Sequence, residues 1–214
     1  MKIYCFSGLG ADKRVFSFLK LNPSYELVPV DWIKPLENEV LEEYSVRISE
    51  TIQTKHAFGI LGVSFGGVVA QEVSKIIKPK FTLLISSINS PSQIPFSLKF
   101  IPNFMIRVIP ASLFKLPDWI ANYMFGAQNK KLLHQILLDT DPYFVKWALL
   151  ALKNWKPIGL KSSGFFISGL KDRILKPTDE GVKIPNGGHF MVVDMANEVS
   201  EEINLFLSKY RSYK

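Results

Sequence analysis

The chain has 214 residues, 47% of them hydrophobic, with a single cysteine (Cys5) and a formal net charge of +7. That length and apolar content suffice for one domain with a sizeable core and exclude a disordered chain, while a lone cysteine excludes an intrachain disulfide and points to a reducing, cytoplasmic setting. The lysines are scattered, with no basic run or nucleic-acid motif, so the charge reads as a solvated surface and not as a nucleic-acid site; contact with an anionic membrane surface or an acidic partner is the lesser alternative.

In chain order, "MKIYCFSGLGADKR" has one early lysine and an apolar run too short for a secretory signal, and "KIYCF" reads as a first strand. "DKRVFSFLK" is a predicted short helix with Asp12 as N-cap, and "YELVPVDW" a second strand. Val40, Leu41, Tyr44, Ile48 and Ile52 share the face of an amphipathic helix. "HAFGILGV" is a third strand, followed by Val69, Val73, Ile76 and Ile77 at helical spacing and by a fourth strand in "KFTLLISSI". Strands alternating with helices predict an α/β fold: a mostly parallel sheet covered on both faces.

The alternation breaks near residue 90. "SPSQIPFSLKFIPNFMIRVIPASLFKLPDWIANYMF" holds five prolines and many aromatics and has no strand-like period. Asp141-Pro142 then supplies an N-cap and first helical position for "YFVKWALLALKNW". Strands return in "SGFFISGL" and "GVKIP", before a last helix with Val199, Ile203 and Phe206 on one face. Residues 90–160 are therefore expected to form a helical cap inserted into a core of residues 1–89 and 161–214, all in one domain. No apolar stretch of about 18 residues escapes charges and prolines, so none is expected to span a membrane.

Ser64 sits in "GVSFGG", between an apolar run and a helical pattern. Chance supplies Gly-x-Ser-x-Gly in roughly one chain in fifteen of this length, so the flanks decide. A strand before and a helix after are what a strained turn presenting a nucleophile requires. A serine hydroxyl needs a histidine to take its proton and a carboxylate to orient that histidine. His56 opens the strand leading to Ser64, at the far end from the turn, and His134 lies in the insertion; His189, in "NGGHF", follows a strand and precedes the last helix. Asp172, in "SGLKDRI", follows the penultimate strand. Ser64, Asp172 and His189 thus all fall on loops after parallel strands, which emerge at one edge of the sheet.

Taken together, "GVSFGG", "SGLKDRI" and "NGGHF" resemble the α/β-hydrolase superfamily, specifically its small lid-bearing serine hydrolases of carboxylesterase or thioesterase type, over nearly the whole chain. The resemblance implies hydrolysis of an ester or thioester of a small molecule, with no metal or organic cofactor. It also implies an oxyanion loop in "FSGLGADKRVF", with the backbone N–H groups of Leu9 and Phe65 as donors. The chain departs from the family in three places. Ser7-Gly8 stands where many relatives have His-Gly, 16 residues separate Asp172 from His189 and leave little room for the usual helix, and the sheet begins at the family's third strand.

A cap over that edge would wall a substrate pocket, with Phe96, Phe100, Phe104, Met105, Phe114, Trp119, Tyr123 and Phe125 as candidate lining residues. Two other functions compete with hydrolysis. A receptor could keep the three residues and signal through its cap with little turnover. "GLGADK" with Asp31 imitates a dinucleotide-binding fingerprint, although Lys13 replaces its third glycine.

Overall fold

The structure, a computed structural model, describes residues 1–114, 116–156 and 163–212. Among the described residues, six parallel strands form one sheet in the order β2-β1-β3-β4-β5-β6: β1 (Lys2–Phe6), β2 (Glu26–Pro29), β3 (Phe58–Val63), β4 (Phe81–Ile85), β5 (Ser163–Gly169) and β6 (Val182–Ile184). The chain leaves β1 for β2 on one side and then crosses to β3 on the other. The loops after β1 and β3 therefore diverge at a topological switch, where open α/β sheets form their binding crevices.

Strand alternation divides the core in two. Ile3, Cys5, Leu61, Val63, Leu83 and Ile85 project to one face, where they meet Val199, Ile203 and Leu207 of α9 (Ala196–Ser212). Tyr4, Phe6, Ile60 and Leu84 project to the other, against α1 (Leu41–Ser49) and α2 (Phe65–Ile77). With both faces covered, β3 and β4 are buried at every position, as their mostly apolar sequence requires, and the one hydroxyl in β4, on Thr82, pairs with Ser74 Oγ at 2.9 Å.

Two elements differ from the sequence expectation. "DKRVFSFLK" forms only a 3₁₀ turn, Lys13–Phe16, because Val15 and Phe16 reach the core within a single turn; Asp12 does cap it, accepting from Arg14 N. Val40 stands at the N-cap of α1, half exposed, and Ile52 is buried beyond the helix end.

Between β4 and β5 the chain runs through α3 (Phe96–Phe100), α4 (Asn103–Val108), a 3₁₀ turn (Ala111–Phe114), α5 (Asp118–Phe125), α6 (Lys130–Asp139) and α7 (Pro142–Asn154), the helical segment expected from the sequence to form the cap. Leu133 and Ile136 of α6 belong to one core and Phe144 and Ala148 of α7 to the other, so the cap straddles the sheet edge. After β6 come the single turn α8 (Met191–Asp194) and then α9. Among the described residues, no helix is long and apolar enough to cross a membrane.

Candidate active site

The turn from β3 into α2 is built by close backbone approach. A Cβ on Gly66 would lie 2.1 Å from Ser7 O and 2.3 Å from Phe6 O, so α2 can start against the end of β1 only because that position has no side chain. The tight junction forces Ser64 to φ 54° and ψ −123°, a conformation that L-residues rarely adopt and that costs about 1–3 kcal/mol. Three hydrogen bonds hold it there: Ser64 N to Ile85 O at 2.9 Å, Gly67 N to Ser64 O at 2.9 Å, and Ser87 Oγ to Ser64 O at 2.7 Å.

The loops after β5 and β6 are brought together in the same way. A Cβ on Gly169 would meet Gly187 O at 2.2 Å, and Lys171 N donates to that carbonyl at 2.9 Å. This contact sets Asp172 beside His189: Asp172 Oδ2 lies 2.8 Å from His189 Nδ1, and His189 Nε2 lies 2.8 Å from Ser64 Oγ. The other carboxylate oxygen, Asp172 Oδ1, accepts from Ile174 N at 2.8 Å and Leu175 N at 2.9 Å, which fixes the carboxylate plane. The side chains of His189 and Asp172 are buried, so the hydrogen bond between them is shielded from solvent. With the carboxylate accepting from Nδ1–H, Nε2 is left to accept the Ser64 hydroxyl proton.

His56 lies exposed ahead of β3, and His134 pairs with Asp118 at 2.8 Å within the cap; neither is part of this cluster. Nor is Cys5 a rival nucleophile, since it is fully buried in β1 and burial pushes its thiol pKa up.

The Gly8–Ala11 loop lies against Ser64, where a Cβ on Gly8 would sit 3.6 Å from Ser64 Cβ. Phe65 N is at the first position of α2, where helix geometry leaves an N–H without an intrahelical acceptor. Sequence reasoning missed the residues that hold this loop. Ser7 Oγ donates to Ala11 O at 2.6 Å, Trp32 Nε1 donates to the same carbonyl at 3.1 Å, and Ala11 N returns to Gly8 O at 2.9 Å. From the cap, Thr140 Oγ1 lies 2.9 Å from Gly10 O and 2.7 Å from Ile136 O, sharing its one proton between them. The substitution of serine for histidine at position 7 was the single visible signal; Trp32 and Thr140 are too distant in sequence to leave one.

Of the eight aromatic and apolar residues expected to line a pocket, Phe125 packs its ring edge-on against His189, with centroids 5.4 Å apart, and its carbonyl accepts from Phe190 N. Phe114 is partly buried against the α2–α7 core. Phe96, Phe100, Phe104, Trp119 and Tyr123 are instead 65–74% exposed and Met105 is 42% exposed, so these six do not enclose a cavity in this structure. For Phe96, Phe100, Phe104 and Met105 the physical reason is length, since helices of five and six residues bury only Leu98 and Ile106; α5, with eight residues, buries only Ala121 and leaves Trp119 and Tyr123 exposed.

No protein-family model matches the chain, and no curated protein matches it in sequence. Solved structures do match its three-dimensional form. A Burkholderia cenocepacia protein assigned as an aryl esterase superposes with a TM-score of 0.77 at 13% identity, covering 99% of this chain and 91% of that one. MenH from S. aureus gives 0.74 at 17% identity over 99% and 94%. The RedJ thioesterase of the Streptomyces coelicolor prodiginine pathway gives 0.63 at 16% identity over 94% and 90%. The chain has the α/β-hydrolase fold.

Proposed function

We propose that the protein is a serine hydrolase that cleaves a carboxylic ester or thioester of a small, apolar acyl group. The observation that carries this reading is the relay from Asp172 through His189 to Ser64, with two contacts of 2.8 Å each, on a residue held at positive φ. The esterases and the thioesterase of the same fold are consistent with that chemistry.

In this reading Ser64 Oγ attacks the substrate carbonyl carbon as its proton passes to His189 Nε2, and Asp172 stabilises the imidazolium. The N–H groups of Leu9 and Phe65 receive the oxyanion, each contributing about 3 kcal/mol to the transition state. Collapse of the tetrahedral intermediate breaks the bond to the alcohol or thiol, which leaves with the proton from His189. Water then attacks the acyl-serine as one of its protons passes to His189 Nε2, and collapse of this second tetrahedral intermediate breaks the bond to Ser64 Oγ, which takes that proton back as the acid leaves. Every step is a proton transfer or an acyl transfer among these residues, substrate and water.

A fluorophosphonate probe should label the protein, and labelling should vanish in Ser64→Ala; labelling that survives would remove Ser64 from the role. Turnover is tested with esters and thioesters from acetyl to octanoyl. Each buried CH₂ is worth about 0.8 kcal/mol, so two added methylenes should raise kcat/KM about tenfold for as long as the acyl chain is buried against the protein in the transition state. A flat profile would overturn the apolar acyl group and leave the nucleophile standing.

A further inference from the structure

We propose that the outer face of the cap docks on an anionic lipid surface. The short helices α3 and α4 and the turn Ala111–Phe114 all pack on α7, burying Leu98, Ile106 and Ala111. Their opposite sides leave Phe96, Phe100, Phe104, Val108 and Leu113 exposed at 65–74%, and Trp119 at the start of α5 is 74% exposed. Phe96 and Phe100 pack ring against ring with centroids 4.1 Å apart, so these two side chains form one apolar surface on α3. Aromatic side chains carry about 150–250 Å² each, so this pair alone, two-thirds or more exposed, presents about 200–350 Å² and reaches the scale of the roughly 300–600 Å² patch that is the largest on an ordinary monomer.

Charge selects the occupant. No aspartate or glutamate occurs between Glu72 and Asp118, whereas Lys99 and Arg107 stand exposed among the apolar residues. A second copy seated on the face of α3 and α4 would set those cations against their own equivalents, and the carboxylate that closes the stretch, Asp118, already pairs with His134. An anionic bilayer supplies both requirements: headgroup phosphates for the cations and an acyl boundary for the rings. The face is also held in shape, because Lys146 of α7 donates to Arg107 O and Ile109 O, and Lys153 to the carbonyls of Leu98, Lys99 and Ile101. Docking rests on this surface alone and does not depend on the hydrolase reading.

The test is sedimentation of the full chain with vesicles of phosphatidylcholine, with and without about one third phosphatidylglycerol. Binding should be at least about tenfold tighter to the anionic vesicles and should weaken in high salt. Tryptophan fluorescence should shift to the blue, and the shift should be lost in Trp119→Phe. The double variant Phe96→Ser/Phe100→Ser should bind at least about tenfold more weakly while keeping the parent's circular dichroism and Tm. Absence of binding, or equal binding by that variant, would overturn the proposal. A dimer in sedimentation velocity that the variant dissociates would also overturn it, by giving the face to a second copy.

Discussion

At the β3–α2 junction backbone packs on backbone, whereas across the outer cap helices the backbone is held by the tips of side chains. Gly66 lies against the carbonyls of Phe6 and Ser7 with no room for a methyl group, and Ser64 is fixed by three hydrogen bonds. In α3 and α4 the closing contacts come instead from the Lys146 and Lys153 ammonium groups, which reach over from α7 to the last carbonyls of each helix. The difference teaches where residue identity is forced. When main chains touch, one residue type fits and a strained conformation can be sustained; when long flexible side chains do the holding, the outward residues are released for another use.

The sharpest way to break this comparison is to change one side chain in each region. Gly66→Ala should cost at least about 3 kcal/mol, because the clashing atoms are two backbone carbonyls that cannot rotate away. Phe104→Ser, on the exposed face of α4, should change stability by no more than about 0.5 kcal/mol. Urea denaturation of both measures the contrast, and similar costs would mean that the junction relaxes as freely as the cap.

The same contrast explains what was legible in the sequence. Gly62, Ser64 and Gly66 could be read because the turn admits few alternatives and because a buried strand and an amphipathic helix flank it. Asp172 and His189 were legible as candidates because each follows a strand, and parallel strands deliver such loops to one edge. The facing of the cap aromatics was not, since helices of five and six residues are too short for a 3.6-residue period to declare an inner side. Nor were the clamps on the Gly8–Ala11 loop: Thr140 and Gly10 are 130 residues apart, and nothing local marks either one. The run "DKRVFSFLK" misled for a related reason, as its apolar residues serve a turn that goes directly into the core and not a helix face.

A second test sharpens the claim that packing sustains strain at Ser64. Replacing a strained residue by glycine removes the Cβ conflict at φ 54° but adds the entropy that glycine loses on folding. Ser64→Ala serves as the reference, because it loses the same hydrogen bond to His189 as Ser64→Gly but keeps the Cβ. Release of about 1–3 kcal/mol against a cost of about 0.5–1 leaves Ser64→Gly more stable than Ser64→Ala by about 1 kcal/mol. Both variants should lose fluorophosphonate labelling completely. A Ser64→Gly less stable than Ser64→Ala would show that the observed dihedrals carry no strain, and the comparison would lose its first term.

The smallest effect is expected where the two regions meet, at the junction of the first-strand loop and the cap. Thr140 joins them by a partly buried hydroxyl, and Arg14 joins them by a more exposed route, with Nη2 at 2.6 Å from Asp12 Oδ2 and 2.7 Å from Asp139 Oδ2. Pairs this exposed contribute about 0–1 kcal/mol and are screened by salt. Asp12→Asn keeps an N-cap acceptor for Arg14 N but removes the charge, so it should lower stability only slightly at neutral pH and not at all in high salt. The pH dependence has a definite sign. The hydrogen bond from Arg14 holds the Asp12 carboxyl below its ordinary value of 3.8, partly against desolvation, so the folded state binds this proton less readily than the unfolded chain. Its contribution is therefore fully present above the ordinary value and is lost as pH falls through the depressed one. The melting temperatures of the parent and Asp12→Asn, measured in low salt from neutral pH down to about pH 2, should differ least at the acid end. A gap that widened on acidification would reverse the sign of the Arg14 interaction and detach the exposed link from the cap–core junction.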